Sequence, residues 1–145
     1  MAADTGLYVI DIKNPASPVL ASSDTPASAV LGVYVSNHTV YAADGATGVL
    51  IYDASDKYAL NQIGSYNTTG TASAVSLVGT DLYVADYAAG LTVLDVSSST
   101  APSFVGTYDT PGSLLQMHVS GRYVYASDYT SGIKIFEISG TKTPG

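Results

Sequence analysis

Short alternating runs of apolar and polar residues follow one another along the chain, separated by turn residues. Ser73-Ala74-Val75-Ser76-Leu77-Val78 is one such run, and it stops at Gly79-Thr80-Asp81. Leu82-Tyr83-Val84-Ala85-Asp86 follows, then the turn Tyr87-Ala88-Ala89-Gly90, then Leu91-Thr92-Val93-Leu94-Asp95-Val96. A polar link, Ser97-Ser98-Ser99-Thr100-Ala101-Pro102, leads to a last run, Ser103-Phe104-Val105-Gly106-Thr107-Tyr108. Alternation over short stretches bounded by Gly, Asp and Ser reads as strands, and no stretch carries an apolar stripe at helical spacing. Strands in sequence joined by short turns predict an antiparallel meander of four strands.

That unit recurs. The phrases Gly6-Leu7-Tyr8-Val9-Ile10-Asp11-Ile12, Gly48-Val49-Leu50-Ile51-Tyr52-Asp53-Ala54, Gly90-Leu91-Thr92-Val93-Leu94-Asp95-Val96 and Gly132-Ile133-Lys134-Ile135-Phe136-Glu137-Ile138 begin at 6, 48, 90 and 132, a constant spacing of 42. The preceding strand ends at Tyr41-Ala42-Ala43-Asp44, Tyr83-Val84-Ala85-Asp86 and Tyr125-Ala126-Ser127-Asp128. First hairpin turns fall at Ser36-Asn37-His38, Val78-Gly79-Thr80 and Ser120-Gly121-Arg122, where Asn and Gly supply the positive φ that tight hairpins require. Tandem four-stranded units of this length predict an all-β fold, a β-propeller built of antiparallel blades. Gly48, Gly90 and Gly132 and the aspartates Asp44, Asp86 and Asp128 are read as structural turn residues.

The Gly-Leu-x-Val-x-Asp phrase, carried best by Val93-Leu94-Asp95-Val96 and Val9-Ile10-Asp11-Ile12, and the Tyr-Val-Ala-Asp before it resemble the LVIVD-repeat propellers. That group is found in bacterial and archaeal proteins, often at the cell surface. The resemblance runs from Asp4 to Ser139. It implies the propeller fold and favours an extracellular or cell-surface location. It brings no catalytic motif to map onto this chain.

The strand order divides this single domain into about three blades. Residues 7–24 supply a third and a fourth strand, residues 27–67 and 72–109 make two complete blades, and residues 114–139 supply a first, second and third strand. Closing a ring takes about four blades or more. The expectation is therefore a head-to-tail homodimer closed as a ring of about six blades, with one split blade at each junction completed by strand exchange. Strands 7–12 and 133–138 then compete for one third-strand place. A larger ring, or a piece of a longer propeller, engineered or excised, is the alternative.

Composition narrows the partners. Twelve acidic residues against 5 basic ones give a net charge of −7, which leaves no basic footprint for nucleic acid. No stretch approaches the roughly 18 apolar residues of a membrane-spanning helix, so no membrane insertion is expected. Met1-Ala2-Ala3-Asp4 leads directly into the first repeat, and no leader is read there. With no cysteine, thiolate chemistry and Cys-based metal sites are excluded.

The candidate chemistry is sparse. Asp44, Asp86 and Asp128 could form a ring of carboxylates, but no Asp-x-Asp run supplies the close oxygen ligands of calcium loops. They are expected instead to accept N–H groups of the turn that follows. Asp11, Asp53, Asp95 and Glu137 are expected to cap the turn toward the fourth strand. His38 falls in an exposed hairpin turn, and His118 lies in an inner strand at the position of Tyr34 and Ser76. Tyr34, Ser76, Gln116 and His118 are the candidate ligand-binding groups of the channel. Tyr87 and Tyr129, with Asn67, Thr68, Asp109 and Thr110, form a loop face suited to sugars or peptides, since Tyr offers a flat apolar ring and a hydroxyl. Tyr66 and Tyr108 are expected inside. Asn37-His38-Thr39 and Asn67-Thr68-Thr69 match the glycosylation pattern, with nothing else pointing to that route. No phosphate loop, nucleophile elbow, zinc motif or dinucleotide fingerprint occurs, so no metal and no cofactor is expected.

Three functions compete on these grounds. The first is a non-enzymatic scaffold or interaction module that assembles with itself and binds a protein or carbohydrate by its loop face. The second is a hydrolase or lyase at the channel mouth, which needs His118 to meet a carboxylate. The third is a purely structural, self-assembling propeller segment without a ligand.

Overall fold

A computed structural model describes residues 2–3, 6–26 and 28–138. Residues 27 and 139, assigned from sequence to the second and last segments, lie outside the described residues, as do Asp4 and the tail 140–145. Among the described residues there are strands and no helix, arranged as four antiparallel sheets in chain order. The first sheet holds β1 (Ala2–Ala3), β2 (Gly6–Asp11) and β3 (Val19–Asp24). The second holds β4 (Gly32–Ser36), β5 (Thr39–Ala43), β6 (Val49–Asp56) and β7 (Ala59–Tyr66). The third holds β8 (Ala74–Val78), β9 (Asp81–Ala85), β10 (Leu91–Asp95) and β11 (Ser103–Tyr108). The last holds β12 (Leu114–Ser120), β13 (Tyr123–Asp128) and β14 (Gly132–Glu137). Each sheet is a meander, the propeller-like repeat that the sequence predicts.

Local chemistry fixes the turns. Asn37, Gly79 and Gly121 take φ of 54°, 61° and 58° at the same repeat position, between the first and second strands. Asp11, Asp53 and Asp95 accept the backbone N–H of Lys13, Ser55 and Ser97 at 2.9, 2.8 and 2.8 Å, each turning the chain toward its fourth strand. Glu137 instead pairs with Arg122. Each fourth strand also bulges at one repeat position, opposite Val9/Ile10, Ile51/Tyr52 and Val93/Leu94.

Burial follows the alternation of side chains across each strand. Tyr41, Ala43, Val49 and Ile51 of the second sheet meet Val75, Leu82, Val84 and Leu94 of the third. Leu7 of the first sheet meets Val40, Ala42, Leu50 and Tyr52 on the opposite side of the second. Ala85 and Leu91 of the third meet Leu114 and Ala126 of the last. The sheets thus stack face to face, each pressing its trailing side onto the leading side of the next. The strands nearest the two chain ends form two separate sheets at opposite ends of this stack. The short strand β1 has no counterpart in the sequence reading; it pairs Ala3 with Gly6 and Ala2 with Leu7, where the inner sheets carry a full second strand.

Tyr108 departs from expectation. It is 62% exposed, because beside it the last sheet has only β12, β13 and β14, and no described fourth strand covers the ring. It rests edge-on against Phe136 instead, at 5.4 Å between ring centres. Tyr66, in the same repeat position, packs against the core between the second and third sheets.

Candidate functional site

The innermost strands β4, β8 and β12 lie side by side and line one groove of about 390 Å³. Close approach builds it. A side chain at Gly32 would meet the Ser73 carbonyl oxygen at 2.9 Å, so the first two of these strands can approach only through a glycine. Ala72 and Gly45 exchange backbone hydrogen bonds of 3.1 and 2.9 Å between the second and third sheets. The Ser73 hydroxyl lies within hydrogen-bond reach of the carbonyls of both Ala85 and Leu114, at 3.1 and 3.0 Å, and its one proton is shared between them where β12 meets the third sheet.

This groove gathers Tyr34, Ser76, Gln116 and His118. Gln116 and His118 are exposed, Tyr34 is half-buried and Ser76 is 9% exposed. Val33, Val75, Leu77, Met117 and Val119 complete the wall. Among the described residues no Asp or Glu lines it, so the groove itself brings no carboxylate beside His118. Nor do three His, Asp or Glu side chains gather for a metal anywhere among the described residues. The groove offers hydroxyl, amide and imidazole groups beside apolar surface.

Tyr87 and Tyr129 sit on the loop face, 41% and 75% exposed. Tyr87 stands at the repeat position of Gly45 and keeps the same left-handed backbone, φ 49° against 48°. Its carbonyl accepts the N–H of Leu114 at 3.1 Å, which ties this loop to the next sheet. Asn67 and Asp109 are exposed beside these turns. Thr68 and Thr110 are not part of that surface: they are 7% and 4% exposed and turn inward toward the aspartates.

The three aspartates are buried: Asp44 and Asp86 at 0% and Asp128 at 2% exposure. Asp86 and Asp128 reach back to the link from the preceding sheet, whereas Asp44 bonds onward to Thr47 in the turn that follows it. Asp86 accepts the Thr68 hydroxyl at 2.7 Å, the Gly70 N–H at 3.2 Å and the Thr92 hydroxyl at 3.3 Å. Asp128 accepts the N–H groups of Gly112 and Ser113 at 3.2 and 3.0 Å. Each clamps the entry to its own sheet. Burial pushes the Asp86 carboxyl above its ordinary value, against the hydrogen bonds from Thr68, Gly70 and Thr92. At Asp128 burial also pulls upward. There the neighbouring Thr110 hydroxyl and the N–H groups of Ser113, Gly112 and Thr130 outweigh it, and the carboxyl sits below the usual range. The Thr110 oxygen makes no aligned hydrogen bond of its own. Asp44 accepts the Thr47 hydroxyl, and its Oδ1 has no partner. The reason is legible in the repeat: Pro26, which has no donor, stands where Thr68 and Thr110 stand in the next two copies.

The comparisons with known proteins agree with this architecture. The LVIVD repeat family matches residues 1–25, 29–68 and 69–110. No curated protein matches the sequence. Among solved structures, the crystal structure of the computationally designed Ika4 protein superposes with a TM-score of 0.68 at 10% identity, over 83% of this chain and 74% of that one. The crystal structure of the computationally designed Ika8 protein gives 0.65 at 10% identity, over 79% of this chain and 35% of that one. At such identity the likeness shows the fold alone.

Proposed function

Because this chain belongs to the LVIVD-repeat family, we propose that it is a non-enzymatic propeller scaffold that completes its ring with a second copy of itself. On this reading the loop face at Tyr87 and Tyr129, and the groove of Tyr34, Ser76, Gln116 and His118, are offered to a protein or carbohydrate. One observation carries the self-association. Val49 and Leu91 are 0% and 4% exposed, whereas Ile133, at the same repeat position, is 73% exposed. Ile51 is 0% exposed, and its counterpart Ile135 is 62% exposed. The residue type that seals one sheet to the next is retained where no sheet of the described residues covers it. Covering one such side chain is worth about 1.5–3 kcal/mol.

A ligand-free structural role is the second reading, and the likeness to two computationally designed proteins fits it. Light scattering coupled to size exclusion tests the association. The expected mass is twice the 14.9 kDa of one chain, falling to one chain in Ile133→Asp. A parent chain that stays monomeric at micromolar concentration overturns the reading. An array of glycans and peptides probed with the dimer separates the scaffold that binds from the one that does not.

A further inference from the structure

Two regions of this chain repeat an interface that is buried elsewhere in the same molecule. The trailing side of the last sheet carries Tyr125, 40% exposed, where Tyr41 is 5% exposed, together with Ile133 and Ile135. The leading side of the stack is uncovered in two steps. On β4, Val33 and Val35 are 36% and 57% exposed, although Val75, the repeat counterpart of Val33, is 7% exposed. On β2 Ile10 is half-buried, and just past its end Ile12 is 67% exposed, while Leu94 and Val96 in their positions are 0% and 5% exposed. The step arises because β2 and β3 cover only the outer part of the second sheet. A recess lined by Leu7, Val9, Val33, Val35 and Val40, among others, is left over its inner strands.

These surfaces are the two halves of the sheet-to-sheet contact that the chain makes three times internally. We infer that the second copy docks face to face with every sheet intact: Tyr125, Ile133 and Ile135 of one copy pack on Val33, Val35 and Ile10 of the other. The inference rests on the self-association proposed above and specifies how it happens. A shared, strand-exchanged blade has one third-strand place for two occupants, so β2 or β14 would have to leave its sheet. Neither is loosely held. The β14 strand pairs with β13 from Asp128↔Gly132 to Tyr123↔Glu137. The β2–β3 hairpin is bolted to the second sheet: the buried Tyr52 hydroxyl donates to Asp24 at 2.8 Å and Lys57 pairs with Asp11 at 2.6 Å. Face docking breaks none of these bonds, and the wedge formed by β2 and β3 fits the outer strand of the incoming sheet while its inner strands enter the recess.

Because the chain has no cysteine, single thiols report cleanly. An Ile133→Cys chain is mixed with an Ile10→Cys chain and treated with a short bismaleimide, matched to the spacing of about 10 Å between packed sheets. Mass spectrometry of the linked peptides and hydrogen exchange of the untreated dimer complete the experiment. Face docking gives a 133–10 link between chains, with the amides of both the β13–β14 and the β2–β3 ladders protected. A dimer without that link, or with either ladder exchanging at the solvent rate, overturns face docking and leaves self-association standing. A parent chain of monomer mass overturns both.

Discussion

Asp86 and Asp128 hold the same repeat position and titrate in opposite senses. Both are buried, but Asp86 has hydroxyl donors from Thr68 and Thr92 and one backbone N–H, while Asp128 draws on several backbone N–H groups. Asp86 holds its proton more tightly folded than unfolded. Its contribution is fully present below the ordinary carboxylate value of about 3.9 and is lost as pH rises through its raised value. Asp128 does the reverse: its contribution is present above the ordinary value and is lost as pH falls through its lowered one. Asparagine keeps the shape without the titration. Melting curves followed by circular dichroism between about pH 3 and about pH 7 should show Asp86→Asn gaining on the parent as pH rises. Asp128→Asn should lose ground over the same range, and the two drifts are on the order of a few degrees. Drifts of the same sign would show that burial, not the donor set, governs this position.

Between the second and third strands of each repeat stands a glycine, and its cost of substitution depends on the neighbouring strand. Gly48, Gly90 and Gly132 take φ of 90°, 82° and 78°, a left-handed backbone that charges any L side chain about 1–2 kcal/mol. At Gly48 and Gly90 a Cβ would also run into the carbonyl oxygens of Tyr66 and Tyr108 on the paired fourth strand. At Gly132 it would meet nothing within 4 Å. Urea denaturation should therefore rank Gly90→Ala well below Gly132→Ala, with the latter near the backbone cost alone. Equal losses would mean that the fourth strand yields without penalty. The same contrast explains what the sequence discloses. The 42-residue spacing, the hairpin glycines and the capping aspartates are local and repeat faithfully, so the meander and the positive-φ turns are readable from one copy. Tyr66 and Tyr108 are identical in sequence yet differ in exposure, because burial belongs to the neighbouring sheet. Thr68 and Thr110 look like loop residues until the aspartate of the following sheet is set beside them. Tyr34, Ser76, Gln116 and His118 could be brought to one groove by counting strands, since the first strand of every unit lies innermost. The unpartnered oxygen of Asp44 needed the register of Pro26 against Thr68 as well as the fold.

At the scale of the molecule, apolar faces and net charge oppose each other. Two copies that meet through Tyr125, Ile133 and Ile135 each carry a net charge of −7, and like charge resists their approach at low salt. The Debye length shrinks from about 30 Å at 0.01 M to about 8 Å at 0.15 M, while the apolar contact is not weakened by screening. Association should therefore strengthen with added salt, the reverse of a partnership held by ion pairs. On the proposed association, folding and assembly are also linked, because only the folded chain presents these faces. A tenfold rise in chain concentration then adds about 1.4 kcal/mol per dimer, which is about 0.7 kcal/mol per chain. For a domain of this length that raises the melting temperature by about 2 °C per decade. Ile133→Asp places a carboxylate on the proposed docking face, and its melting temperature should not depend on concentration. Calorimetry across two decades of concentration, at low and at physiological salt, reads both effects together. A parent chain that melts at one temperature throughout would mean that the exposed isoleucines are tolerated by a monomer. A slope that shrinks with salt would place charged pairs, not these apolar faces, at the contact between copies.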